Sequence, residues 1–351
     1  MKVLGIETSC DETSASIVEG DGDRASIRSL VILSQDVHRI FGGVVPEIAS
    51  RAHLTALVPV VRQALDDASL ALADVDAIAV TNAPGLVGAL LVGVSFAKAL
   101  AFALDVPVIG VHHMEGHLFA ASLEVEDAVP PFTALLVSGG HTMLVDVPQW
   151  GVYQVLGRTR DDAAGEAFDK VGKLLGLPYP GGPEVERLAA TAGEPAVRYS
   201  PPMLRRDQQP GTSEYYDMSF SGLKTAVLNS VREKTANGRT LSDDERSDLA
   251  RAFQDALVGT LTGKTERAVK AFGRTRVVIA GGVAANRALG DSLRRRFAAT
   301  GVSVMAPSNR LSTDNAAMIA RAGLYRLGRG ERSGFDLTAY SAQPLPGATH
   351  A

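Results

Sequence analysis

Apolar residues along this chain fall into short runs punctuated by glycine-rich turns, and the same order of runs occurs twice. Val3-Leu4-Gly5-Ile6, a small polar turn from Glu7 to Ser14, and Ala15-Ser16-Ile17-Val18 predict a β-hairpin. Thr133-Ala134-Leu135-Leu136-Val137, the turn Ser138-Gly139-Gly140-His141, and Thr142-Met143-Leu144-Val145 predict a second one. Further on, Ala77-Ile78-Ala79-Val80 runs through Asn82-Ala83-Pro84-Gly85 into a Gly/Ala/Val-rich helix ending near Leu104. Its counterpart is Val277-Val278-Ile279-Ala280, followed by Gly281-Gly282 and a helix from about Ala284 to Thr300. Each half then closes with a strand and a helix. Val106–Val111 leads into a histidine cluster, and Val302–Ala306 leads through Asn309–Asn315 into an apolar helix reaching Leu327. One α/β plan used twice is the economical explanation.

The strands and helices of each half imply an open α/β sheet, and such sheets bind ligands beyond the carboxyl ends of their strands. The expected boundaries are a first lobe over 1–130, with the helix near 315–328 packing back on it. A second lobe covers 131–351, with irregular insertions over 146–275 and a loose tail from 333. In the irregular segment, Pro201-Pro202, Arg205-Arg206 and Tyr215-Tyr216 suggest an exposed basic loop with aromatics, suited to RNA, and Glu233–Ser247 reads as a solvated connection.

Length and composition narrow the class. At 351 residues the chain exceeds the usual single core, and 46% hydrophobic with 21% charged residues is ordinary for a globular protein. The single cysteine, Cys10, excludes an internal disulfide and fits a reducing compartment. Neither a secretory h-region nor a confident membrane span is expected, because the longest apolar stretch, Gly88–Leu104, is interrupted by Lys98 and reads as a buried helix. A cytoplasmic location with no membrane partner follows as an expectation. The net charge of −4 hides an asymmetry: residues 1–150 hold 7 Lys+Arg against 18 Asp+Glu, and residues 151–351 hold 28 against 21. A polyanion would favour the second half.

Three of the seven histidines sit in Val111-His112-His113-Met114-Glu115-Gly116-His117, at the end of an apolar strand. His113 and His117 are four apart, so on a helix they share one face and can grip one metal ion. Met114 stands where a zinc protease of the H-E-x-x-H type needs glutamate, and Glu115 points about 100° away around the helix. A metal is expected, but not a metalloprotease. Asp314, at the corresponding turn of the second half, is either the third ligand or the N-cap of the following helix.

The turns Ser138-Gly139-Gly140, Pro180-Gly181-Gly182-Pro183 and Gly281-Gly282 expose backbone N–H groups suited to a nucleotide phosphate, while no Gly-Lys-Ser/Thr P-loop is present. Asp161 and Asp162 suit a helix start, whereas Asp169 lies deeper and is a candidate for a ribose hydroxyl. Asp11 and Glu12, at the tip of the first hairpin, are candidates for accepting a proton or orienting metal-bound water, or else simply fill a polar turn.

Taken together, Glu7-Thr8-Ser9-Cys10-Asp11-Glu12-Thr13, Gly43–Glu47, Pro84-Gly85-Leu86, His112–His117, Val137–Thr142, Phe220–Thr225, Ala280–Asn286 and Thr313-Asp314-Asn315 resemble the TsaD/Gcp family, bacterial type. These are tRNA threonylcarbamoyladenosine synthases, formerly described as sialoglycoprotein endopeptidases. The resemblance runs from about residue 1 to 325. It implies a duplicated actin/Hsp70/sugar-kinase-like α/β fold, two lobes around a nucleotide cleft. It also implies transfer of the threonylcarbamoyl group from threonylcarbamoyl-AMP to the N6 amine of adenosine 37, in tRNAs reading codons that begin with A.

By the same resemblance, His113, His117 and Asp314 stand at the metal ligands, with iron first and zinc second. Leu136, Val137, Ser138, Gly139, Gly140, Asp169, Gly182 and Asn286 stand at the adenylate contacts, and Glu186 falls where some relatives have aspartate. The implied partners are a TsaB-like paralogous subunit and a TsaE-like ATPase. The rival readings are a non-catalytic ATP-binding scaffold of the same fold and a sugar-kinase-like phosphotransferase. Two imidazoles speak against the kinase, which would use magnesium and carboxylates.

Overall fold

The computed structural model describes residues 1–22, 24–194, 196–236 and 238–350. Its strands are β1 (Lys2–Glu7), β2 (Glu12–Gly20), β3 (Ala25–Ser34), β4 (Ala77–Ala83), β5 (Val108–His112), β6 (Phe132–Val137), β7 (Thr142–Gln149), β8 (Val152–Arg158), β9 (Arg276–Ala280), β10 (Ser303–Met305) and β11 (Ala348–His350). Its helices are α1 (Pro46–Asp67), α2 (Val87–Leu104), α3 (His113–Ala120), α4 (Ala164–Leu174), α5 (Gly181–Ala189), α6 (Ser213–Tyr216), α7 (Ser221–Lys234), α8 (Asp243–Phe272), α9 (Arg287–Phe297), α10 (Asn309–Ser312) and α11 (Ala316–Gly328).

The chain divides into two compact units, one of residues 1–127 with 307–346 and the other of 128–306 with 347–351. The first holds a sheet of order β3-β2-β1-β4-β5, and the second holds β10-β9-β6-β7-β8-β11. In each, two antiparallel pairings (β1/β2 and β2/β3; β6/β7 and β7/β8) adjoin two parallel ones (β1/β4 and β4/β5; β6/β9 and β9/β10). Reading β3-β2-β1-β4-β5 beside β8-β7-β6-β9-β10 gives one topology twice, which bears out the duplicated fold class.

In the first unit, Leu4, Ile6, Ala15, Ile17, Ile78 and Val80 turn inward onto α1 and α2. On the other face α11 approaches so closely that a Cβ on Gly5 would collide with Ala316 and Ala320, and one on Gly323 with Ala79. Missing side chains at those two positions let helix and sheet pack backbone to backbone. This is the expected return of the helix near 315–328 to the first lobe, and residues 307–346 as a whole, rather than that helix alone, complete the first unit.

Two further expectations are corrected. The segment 146–275 is not irregular: it contributes β8 and α4 to α8, and the supposed solvated connection includes the start of the 30-residue α8. Ser242 caps that helix, its hydroxyl accepting from Glu245 N while Glu245 accepts from Ser242 N. Leu249, Phe253, Leu257 and Leu261 then bury one stripe in the second core. The tail from 333 is not loose either. Ser333 N donates to Val108 O (2.9 Å), Lys98 Nζ to Leu337 O (3.0 Å), Tyr340 N to Asn82 O (2.9 Å) and His112 Nε2 to Gln343 O (3.0 Å). Leu337 packs against the first core, so apolar burial and paired backbone groups hold a segment whose composition looks unstructured.

Helix α2, Val87–Leu104, is the one helix among the described residues with the length and apolarity to cross a membrane. Only one face of it is buried: Ala89, Leu90, Val94, Ala97 and Ala101 turn inward, whereas Val87, Leu91 and Phe102 are exposed.

Candidate metal centre and glycine turns

The first unit gathers its chemistry at the carboxyl ends of β1, β4 and β5. β1 ends on Glu7, whose carboxylate is fully buried. Burial penalises that charge, and three donors compensate: Ser9 N to Oε1 (2.5 Å), Thr81 Oγ1 to Oε2 (2.6 Å) and His113 Nδ1 to Oε2 (3.0 Å). β5 ends on His112, whose Nδ1 accepts from Met114 N (3.2 Å) and so caps α3. α3 opens with His113 and carries His117 one turn later, the two rings edge-on with centroids 4.7 Å apart.

Asp314 Oδ1 lies 3.3 Å from His113 Nε2 and 3.2 Å from His117 Nε2, and one ligand atom from each residue falls within 4.8 Å of the others. The capping alternative for Asp314 is settled by its neighbour: Asn315 caps α11, its side chain accepting from Met318 N (3.0 Å). Asp314 is thereby left to face the histidines.

The electrostatics follow from this crowding. Burial opposes a charge on His113, but the Asp314 and Glu7 carboxylates outweigh it and hold its pKa well above the usual range. Burial would raise Asp314, and His113 and then His117 hold it well below the ordinary carboxylate value. His117 is lowered, with burial the largest cause.

The donor set fits a metal ion. Both ring nitrogens of His117 are buried without a hydrogen bond, and Asp314 is about a fifth exposed, giving two imidazoles and a carboxylate with an open side. A lone buried imidazole in that state costs free energy unless something else takes its lone pair.

Glu12 lies near the same site, with its pKa raised well above the carboxylate range by burial and by Asp314 and Asp11. The turn carrying Asp11 and Glu12 is pinned by a residue that sequence reasoning missed. His53 of α1 donates from Nε2 to Cys10 O (2.9 Å) and accepts at Nδ1 from Thr13 Oγ1 (2.8 Å). Burial, then the Asp11 carboxylate, pushes the Cys10 thiol up, so it stays protonated.

In the second unit, Leu136 and Val137 are fully buried residues of β6, backbone included, and lead into the glycine turn rather than lining open space. Ser138 closes a tight turn by donating its N–H to His141 O (2.7 Å). Gly165 N donates to Ser138 O (3.2 Å), and a Cβ on Gly281 would lie 2.5 Å from Val137 O, so α4 and the turn after β9 both abut this loop. Cβ atoms on Gly139, Gly140 and Gly282 would meet nothing within 4 Å. Those three glycines therefore line open space.

The polar residues expected around the loop have structural work as well. Asp169 Oδ1 accepts from Gly181 N (2.7 Å), Glu186 Oε1 accepts from Arg287 N (2.8 Å), and Asn286 caps α9 by accepting from Leu289 N (3.0 Å). Gly182 follows Gly181 at the start of α5. Asp161 accepts from Phe220 N (2.8 Å) and from both Ser219 and Ser221, fixing the start of α7. The supposed aromatic platform at 215–216 is covered: Tyr216 is buried, and the Arg267 guanidinium lies 4.5 Å over the Tyr215 ring.

A doubled actin-like α/β plan, with a two-histidine, one-carboxylate triad that could hold a metal in one unit and glycine turns in the other, defines a protein of the actin/Hsp70/sugar-kinase fold class. Solved structures agree on the fold. HypF of T. kodakarensis superposes with a TM-score of 0.60 at 14% identity, covering 93% of this chain and 48% of that one. The (R)-2-hydroxyglutaryl-CoA dehydratase component A of Acidaminococcus fermentans gives 0.52 at 14% identity, covering 94% and 99%.

The family follows from the sequence comparisons. Residues 26–321 match TsaD, tRNA N6-adenosine threonylcarbamoyltransferase. A Gemmatimonas aurantiaca protein of the same description is 60% identical over 351 residues, 99% of this chain and 98% of that protein. The chain belongs to the TsaD family, and it is a transferase that modifies tRNA. The scaffold and protease readings gain nothing from these findings.

Proposed function

We propose that this chain transfers the threonylcarbamoyl group of threonylcarbamoyl-AMP to the N6 amine of adenosine 37 in tRNAs reading codons that begin with A, releasing AMP. The observation that carries the reading is the convergence of His113, His117 and Asp314 at the strand ends, in a chain that belongs to a family of threonylcarbamoyltransferases. Two histidines with one carboxylate and open positions suit ferrous iron, with zinc the second candidate. A metal bound there supplies Lewis acidity toward a carbonyl oxygen and a fixed charge for orienting the threonyl part.

The chain's own groups account for the rest. Backbone N–H groups of Gly139 and Gly140, with Gly182, receive the adenylate phosphate, Ser138 shapes their turn through its bond to His141 O, and Asp169, Glu186 and Asn286 hold the surrounding turns. Leu136 and Val137 anchor the loop through β6. Asp11 or Glu12, whichever is ionised when substrate is bound, accepts the proton leaving the adenosine amine.

The protein works in the cytoplasm, with a TsaB-like paralogous subunit and a TsaE-like ATPase. Leu54 and Val58 on α1, and Val87 and Leu91 on α2, form exposed apolar steps on helices that touch at Ser50 and Gly88, which supports a helical partner surface there. The test is reconstitution with those partners, threonine, bicarbonate, ATP, the adenylate-forming enzyme and an A-decoding tRNA. Threonylcarbamoyladenosine detected by mass spectrometry, and lost in His113→Ala, is the expected result. Absence of product with all partners present, while nucleotide binding persists, would overturn the proposal.

A further inference from the structure

We infer that Glu7 is the positioning residue of the metal centre: it holds the His113 ring and its tautomer so that Nε2 faces Asp314 and His117. The inference rests on the metal reading of the triad. A carboxylate with no exposed surface at the end of a buried strand is costly and needs a compensating partner. Of the three donors to Glu7, Ser9 N–H and Thr81 O–H are neutral, and each serves to aim the carboxylate. Only His113 Nδ1, at 3.0 Å, joins it to the triad. That hydrogen bond holds a proton on Nδ1 and turns Nε2, 3.3 Å from Asp314 Oδ1, toward the other two ligands, so that Nε2 is the atom a metal would take.

The contrast with His117 sharpens the assignment. Neither of its ring nitrogens makes a well-formed hydrogen bond, and apart from Asp314 Oδ1, 3.2 Å from its Nε2, only packing orients it. One ligand is therefore held by a carboxylate and the other by its surroundings. Thr81 and Ser9 extend the arrangement, because they stop the Glu7 carboxylate from rotating away from the ring. A carboxylate behind a ligating imidazole both orients the ring and increases its basicity.

The experiment uses the full chain stripped of metal and titrated with Co2+ alone, read by visible ligand-field absorption and by competition with a chelator. Glu7→Gln is expected to bind Co2+ roughly 10- to 100-fold more weakly than the unmodified chain, with a changed absorption spectrum. Thr81→Val keeps the shape of a buried strand residue while removing one donor to Glu7, and is expected to lose roughly two- to tenfold. Circular dichroism confirms folding, and if Glu7→Gln does not fold, Thr81→Val decides by the same readout. Folded variants with unaltered affinity and spectrum would overturn the role of Glu7 while leaving the metal centre intact. Failure of the unmodified chain to bind Co2+ would instead overturn the metal reading, and this inference with it.

Discussion

Substituting Gly281 by alanine tests how tightly the glycine loop is built. Gly281 has φ 88° and ψ 167°, a region that side chains rarely enter. A Cβ there would also sit 2.5 Å from Val137 O and 2.8 Å from Val137 C, backbone atoms that cannot swing aside. The conformational strain costs about 1–3 kcal/mol. Overpacking adds about 1–3 kcal/mol, so a loss near 4 kcal/mol is expected. That corresponds to roughly a thousandfold in the folded-to-unfolded ratio.

The neighbouring Gly282→Ala is the internal control, because its Cβ would meet nothing within 4 Å. It should change stability by less than about 1 kcal/mol. The assay is urea unfolding followed by fluorescence of Trp150, the only tryptophan, which lies in the second unit against Phe132. Equal losses in the two variants, or a loss below about 1 kcal/mol in Gly281→Ala, would refute the close approach of β9 and the Ser138 loop.

Other consequences follow from single side chains. His117→Ala removes one of three ligands and should lower Co2+ affinity by more than about 100-fold in the same titration, with folding preserved because a buried imidazole without hydrogen bonds is lost. Lys264 is buried and donates to Glu214 O and Tyr215 O, and burial, then Arg267, pushes its pKa down to about 7 from the ordinary 10.5. Between those two values the unfolded chain binds the extra proton, so this group makes stability rise with pH, by at most about 1.4 kcal/mol per unit. Urea unfolding at pH 7, 8 and 9 should show that rise reduced in Lys264→Met. Arg274 grips buried Asp146 through Nε and Nη2, both at 2.7 Å. Arg274→Met should cost about 3 kcal/mol in thermal unfolding, since Asp146 would keep a buried charge without its partner.

Much of this was legible in the chain. The paired hairpins show as short apolar strands around polar or glycine turns, and the order of strands after them shows the duplication. His113 and His117 show through their spacing, because a helix following β5 puts both on one face. Glu7 was hidden for a physical reason: at the head of a polar turn it looks like turn filler, and its meaning depends on β4 and α3 bringing Thr81 and His113 to it. α8 escaped because it buries residues on several sides, Thr260, Thr262, Lys264 and Thr265 among them, which blurs the apolar stripe. Its capping signal, Ser242 followed by Glu245, was nevertheless present in the sequence. Composition misled at the tail, where Lys98, Asn82 and His112 bind its backbone carbonyl and amide groups whatever its side chains are.

The account's central claim is that this chain performs threonylcarbamoyl transfer with a metal held by His113, His117 and Asp314. The most direct measurement supplies preformed threonylcarbamoyl-AMP and an A-decoding tRNA to the chain with its TsaB-like and TsaE-like partners, in metal-stripped and Fe2+-reloaded forms, and quantifies threonylcarbamoyladenosine by mass spectrometry. Product that appears only in the reloaded form, and not in Asp314→Ala, is the result predicted. Equal product from the stripped and reloaded forms would contradict the claim.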